Sequence, residues 1–215
     1  FKKINDINNT AYIDVFCSFL FSKLVVNNIL PNFAIFYGST NCIGNYKYDI
    51  TDEYSDLRID KCFNQNLNNT FKLDIYVSSD EESDEDFSDS EESDINYNDD
   101  YIAKIKNIPL QLLFIEKLEG TLEDYLISDE FNGEVILSCL FQISFALHYL
   151  QKKYKFTHND LHINNIMYSN TEKEYLYYKI NNKYFRIPTY GKIFKIIDFG
   201  RSIITYNNKT YMNDV

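Results

Sequence analysis

Thr157-His158-Asn159-Asp160-Leu161-His162-Ile163-Asn164-Asn165-Ile166-Met167 is the stretch on which the reading of the whole chain turns. It holds two of the three histidines and follows directly on the strongest helical pattern. In Phe131–Lys153, Ile136, Leu140, Ile143, Leu147 and Leu150 recur at helical period with Val135 and Phe141 beside them. That pattern predicts an amphipathic helix with an apolar face wide enough for the middle of a helical subdomain. His148 sits next to this seam and reads as a packed or half-exposed side chain. His158 and His162 have the spacing of a zincin helix. Asn159 stands where a zincin has Glu, however, and no third ligand follows, so zinc hydrolysis is set aside.

A second cluster lies downstream, where the apolar run Lys192–Ile197 delivers Asp198-Phe199-Gly200. An Asp followed by an Asn five residues on, with a second Asp at the end of a strand, suits a magnesium nucleotide. Mg²⁺ takes few protein oxygens and completes its shell with phosphate and water. A further carboxylate, off the metal, can orient an attacking hydroxyl or accept its proton.

Between and around these clusters the chain alternates helix and strand signals. A helix is expected from Thr10, as its cap, to about Asn28, with Ile13, Phe16, Cys17, Leu20, Leu24 and Val25 on one face. Pro31 marks a break, Phe33–Tyr37 reads as a strand, and Asn41–Asn69 carries little signal. Phe71–Val77 and Leu110–Ile115 read as strands, and Glu116–Gly120 as a connector. Thr121 with Asp124 three residues on forms a capping box for a short helix. Ile166–Tyr168 reads as a short strand. Tyr175–Ile180 and Lys183–Ile187 form a hairpin about Asn181-Asn182. The expected class is α+β in two unequal lobes, not a doubly wound sheet.

His158-Asn159-Asp160 with Asn165, then Asp198-Phe199-Gly200, resembles the catalytic and metal-binding loops of the protein-kinase superfamily. The resemblance covers roughly Thr10 to Ser202. The Asn/Ile/Lys-rich style and the Tyr175–Gly191 insertion are similar to serine/threonine kinases of giant DNA viruses. The resemblance implies an incomplete two-lobed kinase-like fold: 1–118 a partial N-lobe sheet with one helix, 119–215 the first part of a helical C-lobe. It implies ATP and Mg²⁺ as cofactors and a protein substrate presenting a Ser/Thr hydroxyl. Asp160 would be the catalytic base, Asn165 and Asp198 the metal ligands, and His158 a structural residue. Glu116 and Leu118 would offer hinge backbone groups to adenine.

Three departures from the family pattern qualify the expectation. Asn159 replaces the usual Arg, removing the cation that reads a phosphorylated activation loop. His162 stands where protein kinases carry the Lys that neutralises the transferring phosphate, as in small-molecule kinases, and a neutral imidazole is a weaker counter-charge. Asp14 is the best-placed carboxylate for the helix Glu that pairs with the strand Lys; the bland alternative is a solvated surface group. The Gly-rich loop and strand Lys are expected upstream of Phe1 and the rest of the C-lobe downstream, so this piece alone is expected to be inactive. Two rival readings stay open: an aminoglycoside-phosphotransferase-like small-molecule kinase, and a pseudokinase acting as an interaction module.

Composition bounds these readings. The 215 residues are 45% hydrophobic and 17% aromatic, with 6 Gly and 3 Pro, which excludes wholesale disorder and low-complexity architectures. The net charge of −11 belongs to one segment. Asp80–Asp100 holds 12 of the 32 acidic residues and no Lys or Arg, leaving 20 acidic against 21 basic elsewhere. This insertion, at about 78–100, is too poor in apolar residues to offset its ordering entropy and is expected to be disordered. It reads either as a solvated loop or as an arm docking a basic partner, with Ser83, Ser88, Ser90 and Ser93 placed for acid-directed phosphorylation. No run approaches 18 apolar residues, since Val15–Val26 is broken by Ser18, Ser22 and Lys23, so no membrane partner is expected. The aromatics of 175–190 read as a solvated hairpin, so no nucleic-acid partner is expected either. Cys17, Cys42, Cys62 and Cys139 form no CxxC pair, which with the lack of a signal peptide fits an intracellular setting.

Overall fold

The computed structural model describes residues 6–77 and 99–212. The acidic stretch expected to be disordered lies, but for Asp99 and Asp100, outside the described residues. The chain divides into two compact units, residues 1–40 with 113–215, and residues 41–112.

In the larger unit, α1 (Thr10–Val26) is capped by Asn9, whose side chain accepts from the Ala11 N–H at 2.9 Å. The cap therefore falls one residue before the expected Thr10, because Asn9 holds the extended backbone a cap needs. Ile13, Cys17, Leu20, Phe21 and Leu24 are buried. Phe21 enters the core although it lies outside the expected stripe, and its ring meets those of Phe33, Phe156 and Phe199 at 5.0–5.2 Å. α4 (Leu122–Leu126) carries the expected box, with Thr121 Oγ1 and the Asp124 carboxylate each accepting the other's backbone N–H.

α5 (Gly133–Tyr154) starts two residues later than the sequence suggests, directly after its cap Asn132, whose side chain accepts from the Glu134 N–H. It is long and apolar enough to cross a membrane, but its buried residues belong to the main core. The buried face is Val135, Ser138, Cys139, Gln142, Ile143, Ala146 and Leu150. Leu140, assigned to the seam from periodicity, is exposed, and Ile136 and Leu147 are half-buried. The stripe is rotated because Gln142, a polar residue that periodicity discards, is fully buried.

That burial is satisfied by a closed network. Gln142 Oε1 accepts from the Asn32 side chain (3.2 Å) and the Phe194 N–H (2.9 Å), while its Nε2 donates to Ser138 Oγ at 3.1 Å. Asn32 Nδ2 also donates to the Phe194 carbonyl at 2.8 Å, and the Tyr178 hydroxyl donates to Asn32 Oδ1 at 3.3 Å. α5, the segment after α1 and two sheets are thereby fixed in one register.

β4 (Gly120–Thr121), β5 (Ile166–Asn170) and β8 (Lys192–Ile196) form an antiparallel sheet in that order, with Ile166 opposite Ile196. β6 (Tyr175–Ile180) and β7 (Lys183–Pro188) form the expected hairpin about Asn181 and Asn182, both at positive φ. A second hairpin, β9 (Ile203–Tyr206) with β10 (Lys209–Met212), turns about Asn207 and Asn208, also at positive φ. Asn tolerates that conformation at low cost, so the same two-residue signal marks both turns.

The expected strand at 33–37 is only partly one. β1 runs Phe36–Asp49, and Phe33 makes a single parallel bridge to Ile196. The poorly patterned 41–69 segment contains most of β1, α2 (Tyr54–Leu57) and α3 (Lys61–Asn66). β2 (Phe71–Tyr76) pairs antiparallel with β3 (Asp100–Ile115), and the sheet order is β1-β3-β2. The 41–112 unit has its own small core of Ile50, Tyr101 and Ala103, backed by Tyr54, Leu57, Phe63, Phe71 and Leu73.

Candidate functional site

The site is built from two loops that follow α5 and β8. His158 is buried between them, its ring 5.6 Å from that of Phe199. Its Nε2 lies 3.0 Å from the Ile197 carbonyl. A carbonyl only accepts, so Nε2 carries the proton and Nδ1 holds a bare lone pair, buried with no partner among the described residues. Burial pushes the imidazole below its ordinary pKa, consistent with that neutral form.

Asp160 is half-buried, and its Oδ1 is 3.5 Å from a guanidinium nitrogen of Arg201. Asn165 is buried, with its Nδ2 donating to the Asp160 carbonyl at 2.9 Å. The Asn165 carbonyl accepts from the Ile197 N–H at 3.1 Å. Asp160 and Asn165 are thus joined to each other, and Asn165 is joined to the residue preceding Asp198. Among the described residues, no hydrogen-bond partner takes Asn165 Oδ1.

Asp198 is exposed and held at φ 60, and the Gly200 N–H lies 3.4 Å from its Oδ1. Left-handed backbone at a non-glycine residue stores strain, and the surrounding bonds hold it in place. A Cβ on Gly200 would meet the Thr10 methyl at 2.5 Å, so α1 and this loop approach as closely as a glycine allows.

Asp14 stands on the α1 face that meets the loop. Its Oδ1 accepts from the Phe199 N–H at 3.0 Å and lies 3.5 Å from Ser18 Oγ. It is therefore a half-buried residue of the site and not a solvated surface group. Burial raises its carboxyl above the ordinary range, with the charge of Asp198 acting in the same direction. Asp14 and Asp198 both line a mostly apolar cavity of about 210 Å³ with Phe33, Ala34, Ile115 and Phe199.

His162 is exposed and caps a single 3-10 turn, Ile163–Asn165; its Nδ1 accepts from the Asn164 N–H at 3.3 Å. Glu116 and Leu118 do not line the cavity. The Glu116 side chain is committed elsewhere: both oxygens lie 2.8–2.9 Å from buried Lys195 Nζ, and one accepts from the Ile35 N–H at 3.0 Å. Among the described residues, the Glu116 carbonyl and Leu118 N–H have no intramolecular partner, which leaves them free for a ligand edge.

Sequence reading did not single out Lys195 or Arg201. Lys195 sits in an apolar strand at an inward position, where an unpaired Lys is rare, and that was the available signal. Arg201 follows Gly200 directly and carries no distinguishing pattern.

Two loops, one after α5 carrying Asp160 and Asn165 and one after β8 carrying Asp198 beside an apolar cleft, define a kinase-like fold of the α+β class. Residues 90–215 match the sequence profile of the family described as protein tyrosine and serine/threonine kinase. The chain belongs to that family.

Similar curated proteins carry corresponding names. A chain of Acanthamoeba polyphaga mimivirus, named provisionally as a serine/threonine-protein kinase, is 44% identical over 82 residues, 35% of this chain and 21% of its own. A Dictyostelium discoideum chain with a similar provisional name is 37% identical over 112 residues, 47% of this chain and 9% of its own. The Drosophila melanogaster homologue of the serine/threonine-protein kinase haspin is 32% identical over 84 residues, 39% of this chain and 15% of its own. The chain thus spans well under a quarter of the length of each of these relatives.

Proposed function

We propose that this chain carries the phosphoryl-transfer site of a serine/threonine protein kinase that moves the γ-phosphoryl of MgATP to a protein hydroxyl. The observation that carries the reading is the stitching of Asp160, Asn165 and Ile197-Asp198 by the two hydrogen bonds through Asn165. In this reading residues 1–118 belong to the N-lobe and 119–215 to the C-lobe.

The donor set fits a magnesium ion. Asn165 Oδ1 and the Asp198 carboxylate are two hard oxygens on adjacent loops, and Mg²⁺ needs few such ligands beside phosphate. Bound there, the ion would supply charge neutralisation to the phosphates. Adenine would take the Glu116 carbonyl and Leu118 N–H along its edge and the Ala34, Ile115 and Ile196 side of the cleft against its face.

The remaining chemistry belongs to the chain's own side chains. Asp160, held through its backbone carbonyl by Asn165, orients the acceptor hydroxyl and takes its proton. His162, in the position expected to carry a cation, has its Nδ1 engaged by the Asn164 N–H. Arg201, 3.5 Å from Asp160, is the fixed positive charge at hand and takes the role of balancing charge on the transferring group. Asp14 holds the Phe199 backbone and so the orientation of Asp198.

The test compares γ-phosphate transfer to a Ser/Thr protein by the full-length polypeptide and its Asp160→Asn, Asp198→Asn and Arg201→Ala variants. Loss of about 100-fold or more is expected for the two Asp variants. Transfer at the parental rate by Asp160→Asn would refute the reading, and by Arg201→Ala would refute the charge-balancing role alone.

A further inference from the structure

The larger unit carries a second cavity, of about 310 Å³, between the last turns of α5 and the turn of the β6–β7 hairpin. It shares no lining residue with the cavity beside Asp198. Phe145, Tyr149 and Ile180, all half-buried, give it an apolar wall, and His148, Lys152, Lys153 and Lys179, all exposed, complete its lining with Asn181.

Every charged side chain on that lining is a cation. No Asp or Glu occurs in 135–159 or in 175–197, the two stretches that build the cavity. Among the described residues, the ion pairs leave Lys152, Lys153 and Lys179 out. Lys153 Nζ reaches the Tyr149 hydroxyl at 3.2 Å and the ring faces of Tyr149 and Tyr154, and Lys179 Nζ stands 5.3 Å from the centroid of the Tyr184 ring. The helix dipole accounts for Lys152 and Lys153 in the last turn of α5. It does not account for Lys179, which a strand brings to the same cavity. Like charges gathered around a concavity repel one another and focus a positive field into it, and the chain brings no carboxylate to offset them.

We propose that this cavity docks an acidic protein segment. One apolar side chain of the segment seats against Phe145, Tyr149 and Ile180, and its flanking anionic groups meet Lys152, Lys153 and Lys179. Charge complementarity selects the occupant, and the apolar wall calls for more than a bare anion. Carboxylates and phosphorylated side chains share this chemistry. Binding there does not require phosphoryl transfer, so it stands or falls separately from the reading of the Asp160 site.

The test titrates the full chain by calorimetry with a capped Glu-Glu-Phe-Glu-Glu peptide, with analogues carrying Gln for Glu or Ala for Phe, and with one carrying phosphoserine on either side of Phe. The glutamate peptide is expected to saturate one site and to bind about tenfold more tightly than the glutamine peptide, three exposed charge pairs together being worth about that factor. Ala for Phe is expected to cost about fivefold, through lost apolar burial. Lys152→Gln, Lys153→Gln and Lys179→Gln combined in one chain are expected to lose the factor gained from charge. Lys47→Gln, Lys61→Gln and Lys209→Gln combined remove the same charge at exposed positions, none of which lines the cavity, and are expected to leave the affinity within about twofold. Both combinations alter exposed side chains only. Tighter binding of the phosphoserine peptide identifies a phosphorylated segment as the source, and tighter binding of the glutamate peptide identifies a carboxylate stretch. Equal losses in the two triple variants, equal binding of the Glu and Gln peptides or of the Phe and Ala peptides, or no saturation by about 2 mM would overturn the proposal. So would single-stranded oligothymidine or phosphatidylserine vesicles binding more tightly than either acidic peptide, with that binding lost in the first triple variant, since the face would then belong to nucleic acid or membrane.

Discussion

The ion pair between Glu116 and Lys195 ties the start of the connector after β3 to β8, and breaking it from one side should cost far more than removing it whole. Lys195 Nζ lies within 2.9 Å of both Glu116 oxygens, and the two side chains are 6% and 21% exposed. Lys195→Met keeps the stem and deletes the charge, stranding a carboxylate that retains only the Ile35 N–H at 3.0 Å. Glu116→Gln strands the ammonium. Each single change is expected to destabilise by about 3 kcal/mol, the lower end for an orphaned buried charge. The double variant loses a pair whose mutual attraction and desolvation nearly cancel, so it should cost only about 1–2 kcal/mol. The coupling energy is then about 4–5 kcal/mol, and each single variant should shift the urea midpoint by about 1.5 M at a slope of about 2 kcal/mol/M. With no tryptophan and 19 tyrosines, the transition is best followed by far-ultraviolet circular dichroism and tyrosine fluorescence. Single-variant costs that add to the double within about 0.5 kcal/mol would refute the reasoning, because independent sites add and paired charges do not.

Asp14→Asn should separate stability from activity. The carboxyl's pKa is raised above its ordinary 3.8, so the native state holds its proton more tightly than the unfolded chain, and the stability associated with that proton is lost as pH rises through the raised value. Asn keeps an acceptor for the Phe199 N–H without the charge. The variant should therefore match or exceed the parent's urea midpoint at pH 7, with the advantage shrinking as pH falls toward 3.8, while γ-phosphate transfer by the full-length protein drops. A lower midpoint at pH 7 would count against the burial argument. Thr121→Ala removes one side of a complete capping box and should cost about 1 kcal/mol, seen as a lowered thermal midpoint; a change under about 0.3 kcal/mol would mean that tertiary contacts alone hold α4.

What could be read from the sequence follows where the information is local. The box of Thr121 and Asp124 and the Asn181-Asn182 hairpin are set by near neighbours, and both stand as expected. Asp160, Asn165 and Asp198 could be picked out together because their spacing is itself the pattern, and the structure joins their loops through Asn165. The buried face of α5 was not, since Gln142 and Ser138 are inside on account of Asn32, Pro188 and Phe194, which are remote in the chain. A periodicity argument assigns every polar residue to solvent, and here that displaced the stripe toward exposed Leu140. The 41–69 segment failed for a different reason: β1 is almost wholly exposed or half-buried along its 14 residues, so no apolar alternation marks it. Asp14 was ambiguous because one carboxylate on an amphipathic helix carries no sign of whether a loop 185 residues away will offer it a backbone N–H.

Asn159 in place of the family's Arg removes a charge yet leaves the loop's mechanics intact. Asn159 and Asp198 both hold left-handed backbone, at φ 65 and φ 60, one on each loop of the site. Such conformations persist only where neighbouring bonds over-determine them. Here the Asn159 side chain donates to the Arg201 carbonyl at 3.0 Å, directly beyond Gly200, and Ser202 Oγ donates to the His158 carbonyl at 3.3 Å. Thr157 and Ile203 exchange two backbone bonds at 2.8–2.9 Å, and His158 closes the other side on the Ile197 carbonyl. Both strained residues are therefore clamped from before and after by groups of the opposite loop. A short amide is the side chain suited to this: it tolerates positive φ and reaches the crossing carbonyl. The placing of Asp160, Asn165 and Asp198 is accordingly held by bonds between the two loops themselves.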